Sequence, residues 1–291
     1  MGRKRHFCTH FDAYLLYIVW FMLTISSSNA TEQSEIQDTL ENSKPGPELV
    51  LIPAEQPFAL GKYEVTVSEY ATFTAATGYL TYNERQQDEK RHCKGLTPTY
   101  WSVPGTNWRN PGFIQGPDHP VVCVTWQDAE AYAQWLSDQT GQRYRLPTTL
   151  EWVYAASAGV KTLFHFGNDK EEMCKYGNVA GLANPWLYGN TQLPRCDDEH
   201  LYTSPVGFYR PNAFGLYDVH GNVKEITATC TSWFERSKKA QPTCNWRDSR
   251  GGAWPYAPFI AHLTNTGMAF YMTSDYATGF RVLRELPIEK E

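Results

Sequence analysis

Six cysteines, a run of three acids and several asparagines in turn sequences are the residues whose type and spacing could do chemistry in this 291-residue chain. The cysteines are Cys93, Cys123, Cys174, Cys196, Cys230 and Cys244; a seventh, Cys8, stands apart near the N-terminus. After residue 30 no CxxC or HxxxH spacing supports a zinc site, which is normally built from such close pairs. An even set in a chain that carries a leader reads as disulfides, and pairing of sequence neighbours is the expectation among several connectivities. Asp197, Asp198 and Glu199 could resemble the paired carboxylates of glycoside chemistry, but as neighbours in one loop they suit a cation ligand better. His92, His119, His165, His200, His220 and His262 are scattered singly, a pattern that assigns no iron site. There is no G-x-S-x-G, and no Ser/His/Asp order stands out from random placement.

The elements that must position these residues announce themselves unevenly. ELVLIP from Glu48 reads as a strand, and FALGKYEVT as a second one interrupted by a turn at Gly61. Thr66 with Glu69, Thr125 with Asp128 and Thr148 with Glu151 form three capping boxes, each opening a helix. Gly78 and Gly141 stop the first two, and helix content is expected to end near Ser157. Beyond Gly159 the chain reads as turns and short strands, so it needs staples, and two of the expected cysteine pairs fall there.

The first thirty residues read as an address. Arg3, Lys4 and Arg5 precede a short apolar run, and Ser28 and Ala30 prepare a cut after Ala30. The run is shorter than the ~20 apolar residues a membrane span needs, so a membrane partner is expected only if the leader is retained. Residues 31–47 are polar and lack aromatics, which reads as a disordered lead-in. Removing residues 1–30 leaves 23 basic against 30 acidic residues and no Lys/Arg cluster, which excludes a nucleic-acid partner. Ten Trp, eighteen Tyr and fourteen Phe suggest large flat side chains filling a loop-rich core.

Several segments together carry a resemblance. GKYEVTVSEYATFTAATGY, HPVVCVTWQDAEAYAQWLSDQTGQRYRLPTTLEWVYAASAG, SPVGFYRPNAFGLYDVHGNVKEIT, RGGAW and GFRVLRE occur in the order seen in the formylglycine-generating enzyme, or sulfatase-modifying factor, family. The resemblance covers about residues 48–286. It implies an α+β fold: a variant of the C-type-lectin-like architecture, low in regular secondary structure and stapled by disulfides. The CKYGNV and CDD segments resemble a subgroup in which Cys174 pairs with Cys196. The resemblance also implies two calcium sites. One would take Asn178, the Val179 carbonyl, Asp198 and the His200 carbonyl; the other Asn222, the Val223 carbonyl and Glu225, where Lys224 stands in place of the family's usual tryptophan.

The family's oxidation of cysteine to formylglycine needs a serine directly after the two glycines and then two cysteines that hold copper(I), a metal that requires soft thiolates. Those positions fall on Ala253, Tyr256 and Ile260. Copper is therefore not expected. The chain reads as a periplasmic or extracellular binding or accessory module, with Trp254, Tyr256, Phe259 and His262 lining an aromatic groove for a protein, peptide or glycan. The alternative is a periplasmic enzyme with altered chemistry, since some members of the family act in siderophore maturation without the copper cysteines.

Overall fold

A computed structural model describes residues 35–85, 93–94, 104–181, 193–230, 244, 246–270 and 274–287; the leader at 1–30 lies outside them. The three capping boxes form as the sequence expects. Thr66 opens α1 (Val67–Thr77), its hydroxyl accepting from Glu69 N at 3.2 Å while the Glu69 carboxylate accepts from Thr66 N at 2.8 Å. Thr125 and Asp128 open α3 (Trp126–Thr140), and Thr148 and Glu151 open α4 (Thr149–Ser157). Gly78 and Gly141 end α1 and α3 in the left-handed region. A fourth T-x-x-E, Thr81 with Glu84, starts the short helix α2 (Tyr82–Arg85), which the sequence reading passed over.

The expected disordered lead-in is corrected by the structure. Glu35–Thr39 forms strand β1, antiparallel to β2 (Pro45–Ile52). Its polar composition hides a two-residue alternation: Ile36 packs on the core while its neighbours Glu35 and Gln37 reach outward or pair laterally. Beyond the strand, Leu40 is buried in the same core. The chain reverses at Ser43, where φ is +63°.

One sheet runs β1-β2-β3-β9-β4, with β3 at Phe58–Gly61, β4 at Tyr144–Arg145 and β9 at Leu283–Glu285. The other runs β7-β6-β5-β8, with β5 at Lys224–Cys230, β6 at Trp246–Arg250, β7 at Gly267–Phe270 and β8 at Thr278–Gly279. Among the strands of the described residues, β5 and β8 are the pair that run parallel. Tyr70, Phe73, Trp108, Tyr132 and Phe280 make an edge-to-face and stacked core under α1 and α3. Among the described residues no helix is long and apolar enough to cross a membrane.

Three disulfides join sequence neighbours: Cys93–Cys123, Cys174–Cys196 and Cys230–Cys244, with Cα separations of 5.2, 6.1 and 5.7 Å. They mark an oxidising environment.

Between the sheets lies a buried ion pair. The Arg281 guanidinium donates to both oxygens of Glu225 at 2.6 Å, and both side chains are fully buried. Arg281 also donates to the carbonyls of Gly61 and Tyr217, each at 2.9 Å, and Trp152 Nε1 donates to Glu225 at 2.6 Å. Removing one partner of such a pair strands the other charge, so Arg281→Met is expected to cost about 3–5 kcal/mol. Arg281→Met combined with Glu225→Leu should recover part of that loss, and urea unfolding midpoints of the two variants check it.

Candidate functional site

The segment after β6 is bent into place by two glycines. Gly251 and Gly252 have φ of +92° and +73°, and a Cβ on Gly252 would lie 2.7 Å from that of Ala261. The chain then runs between two fixed edges. Trp254 N donates to the Asn222 carbonyl at 3.0 Å, and the Tyr256 carbonyl accepts from Ala180 N at 3.0 Å. Pro258–Ala261 closes a 3₁₀ turn, and Leu263 N donates to the Leu163 carbonyl.

Of the expected groove residues, Trp254 is corrected. Only 4% exposed, it packs with Ala253 and Ala277 among Phe113, Tyr202, Tyr256 and Tyr276, filling the interior rather than lining a groove. Tyr256 is half-buried, with the Lys224 ammonium 5.2 Å from its ring centroid. Phe259 is 49% exposed. His262 sets its ring against the Phe164 ring, centroids 4.9 Å apart, in a cluster separate from that of Trp254.

Ala253, Tyr256 and Ile260 offer no sulfur, and every described cysteine is in a disulfide. Lys224 pairs with Asp275 at 3.2 Å. Burial works against the Lys224 charge, but Asp275 outweighs it and raises the pKa above its usual value. A cation thus stands beside the position where copper would need thiolates.

The first set of calcium residues is drawn together through the backbone amides of two of its members. Val179 N donates to Asp198 Oδ2 at 2.9 Å, and His200 N to Asp198 Oδ1 at 3.3 Å. Asn178 donates through Nδ2 to the Tyr202 carbonyl at 2.7 Å, which leaves its Oδ1 buried with no partner. Burial pushes the Asp198 carboxyl up to about 6. An orphaned amide oxygen beside a desolvated carboxylate fits a hard cation, which takes oxygen ligands of these kinds. Gly177 lets the turn before Asn178 lie against the His220 backbone, since a Cβ there would overlap the His220 carbonyl oxygen.

The second set does not fit as expected. Glu225 is occupied by Arg281 and Trp152. Asn222 accepts from Ser204 N at 3.0 Å and donates to Glu64 at 2.7 Å; Val223 N also donates to Glu64, at 3.1 Å. The unpartnered oxygens here belong to residues the sequence reading missed, Asp218 Oδ1 and Ser204 Oγ. Asp218 is pushed up to about 6, and Glu64 well above its usual value, both chiefly by burial. Among the described residues no three His, Cys, Asp or Glu side chains form a metal-holding group.

An aromatic ladder supports the Asn178 turn. Phe164, Phe166 and Tyr176 stack nearly parallel, and the His165 and His220 rings meet them edge-on. His220 donates through Nδ1 to the Ala261 carbonyl at 2.8 Å and accepts at Nε2 from His165 N at 3.0 Å, which fixes one neutral tautomer.

The fold and site together define a disulfide-stapled α+β domain with an oxygen-lined centre and a glycine-hinged surface segment. The sequence matches the sulfatase-modifying factor enzyme 1-like domain over residues 31–286, and the chain belongs to that family. It is 30% identical to the formylglycine-generating enzyme of Bos taurus over 65% of this chain, but the match spans only 52% of the bovine protein. It is 28% identical to the inactive C-alpha-formylglycine-generating enzyme 2 of Mus musculus, over 68% of this chain and 66% of that one. Among solved structures, PvdO from Pseudomonas aeruginosa superposes with a TM-score of 0.66 at 29% identity, covering 87% of this chain and 98% of that chain. The fold is thus the α+β architecture of the formylglycine-generating enzyme family.

Burial lowers the His165 pKa to about 4, and both its ring nitrogens are buried without partners. Below about pH 6.5 the unfolded chain takes up a proton that the folded ring resists. Stability is therefore lost as pH falls from 6.5 towards 4, by on the order of 2–3 kcal/mol from this ring. His165→Phe, which keeps an edge-on ring, should remove this ring's share of the acid limb and leave that of His220, as thermal unfolding measured every half pH unit would show.

Proposed function

We propose that this chain is an exported binding or accessory module that keeps the formylglycine-generating scaffold without its cysteine oxidase. The observation that carries the reading is the loss of the chemical positions: Ala253 stands where the family's serine would be, Tyr256 and Ile260 where its two cysteines would be, and all six described cysteines are consumed in disulfides. The Lys224–Asp275 pair against Tyr256 adds a cation to the same place. In this reading the leader at 1–30 is cut and the domain works in the periplasm or outside the cell. Phe259, Tyr256 and His262 face the ligand, a protein, peptide or glycan, while Trp254 supports them from within.

Calcium at the first site belongs to the same reading. Asn178 Oδ1, Asp198 and the carbonyls of Val179 and His200 would hold it, and the orphaned Asn178 oxygen is the support. The ion would supply a structural cross-link between two long loops. The second site is not carried forward with Asn222, Val223 and Glu225 as ligands.

Aerobic incubation of the purified protein with copper(I) and a CxPxR peptide is expected to leave the peptide mass unchanged. Conversion of its cysteine to formylglycine would overturn the reading. For the cation, a hundredfold excess of calcium over its Kd should raise the melting temperature by about 5–10 °C. Asn178→Ala should lose that rise, and a chelator with no effect on the wild-type protein would remove calcium from the account.

A further inference from the structure

Arg250 ends β6 at the root of the 251–265 segment, and only 8% of it is exposed. Its Nη1 donates to the Asn265 carbonyl at 2.7 Å, while its Nε is buried and donates to nothing. No carboxylate stands within ion-pair distance of it among the described residues. The contrast with its fellow arginines is direct. Arg281 holds Glu225, Arg145 holds Glu151 and Glu285, and Arg247 holds Glu130. Asp248, two residues before Arg250 in β6, instead accepts from Thr149 Oγ1 at 3.0 Å. Burial accordingly lowers the Arg250 pKa, and Asp248 opposes this only in part.

A guanidinium taken out of water with one carbonyl for company is costly, because desolvation is repaid only by a matching anion and filled donors. Its planar fork is shaped for a carboxylate. Arg250 is also wired to the exposed surface. The Asn265 residue whose carbonyl it grips holds the carbonyls of Phe259 and Ile260 through its own amide, at 3.2 and 3.1 Å. Phe259 and Met268, on either side of Asn265, are both exposed apolar side chains.

We infer that Arg250 anchors a carboxylate-binding subsite at the base of this segment, taking an acid whose apolar part rests on Phe259. The inference deepens the binding role proposed above and rests on it, but not on the loss of oxidase chemistry, which the CxPxR assay reads separately. Two sources share this chemistry, a free organic acid and a peptide C-terminus.

The test is a calorimetric titration of the full chain with benzoate and with benzamide, followed by a short phenylalanine-ended peptide with a free or an amidated C-terminus. Benzoate is expected to bind and benzamide not to. Arg250→Gln should weaken benzoate at least about tenfold, the worth of one charge-assisted hydrogen bond, and Phe259→Ala should weaken it too. Preference for the free over the amidated peptide assigns the C-terminus as the source; benzoate binding without that preference assigns a free acid. If Arg250→Gln does not fold, the benzoate-over-benzamide preference of the wild type and the weaker benzoate binding of Phe259→Ala decide the matter. Equal binding of benzoate and benzamide, or binding of neither benzoate nor the free-ended peptide, overturns the inference.

Discussion

The buried pair of Arg281 and Glu225 is the constraint around which the rest is arranged. Arg281 lies between β8 and β9 and so leads from one sheet into the other. Its guanidinium reaches Glu225 on β5, the Gly61 carbonyl at the end of β3 and the Tyr217 carbonyl in the loop before β5. Trp152 on α4 completes the set through Glu225. Four parts of the chain far apart in sequence thus share one hydrogen-bonded centre. The strands of both sheets are short, and several have only two to four residues. Ladders of that length cannot hold two sheets in register unaided, and a satisfied ionic network specifies one arrangement where apolar packing would tolerate several.

That centre carries more negative than positive groups. Glu64, Asp218 and Glu225 are all buried near Arg281, and one guanidinium cannot neutralise three carboxylates. Glu225 takes the arginine. The upward shifts of Glu64 and Asp218 express how the remainder is settled, by holding protons to higher pH. Asn222 and the Val223 amide hydrogen-bond to Glu64, so the GNV turn is fixed by an acid from the irregular KYEV segment after β3, about 160 positions earlier. The same turn receives Trp254 through the Asn222 carbonyl. The segment is therefore tied to the centre as well as to its own contacts with Ala180 and Leu163.

The legible part of this in the sequence was what is local. The T-x-x-E boxes at Thr66 and Thr148, and the T-x-x-D box at Thr125, needed only nearest-neighbour chemistry, and the glycine stops at Gly78 and Gly141 followed from the left-handed backbone they adopt. Thr81 and Glu84 carried the same signal over a helix too short to show apolar periodicity. Strand β1 was hidden because its polar letters outnumber the apolar ones, and only pairing with β2 reveals which face is inward. Of the site, Asn178 and Asp198 were readable from motif and residue type. Asp218, Ser204 and Glu64 were not, because their importance lies in which lone pairs remain unfilled after folding. Trp254 misled for a related reason: an aromatic in a loop signals a surface until its neighbours Phe113, Tyr202 and Tyr276 are seen to enclose it.

The two mammalian relatives, one named as the enzyme and one as inactive, match this chain at 30% and 28% identity. Such similarity follows the scaffold, which explains why it cannot separate activity from its loss. The residues that hold the fold, namely Arg281, Glu225, Trp152 and the three disulfides, make no demand on what sits at 253, 256 and 260. Gly251 and Gly252 set the path of the segment whatever side chains follow them. With Ala253, Tyr256 and Ile260 in place of a serine and two cysteines the centre is untouched, and Lys224 finds its own partner in Asp275 without drawing on Glu225. The chemistry of this segment is thus separable from the stability of the domain, and it is the exposed Phe259 and the buried Arg250 that must be probed to learn what the protein holds.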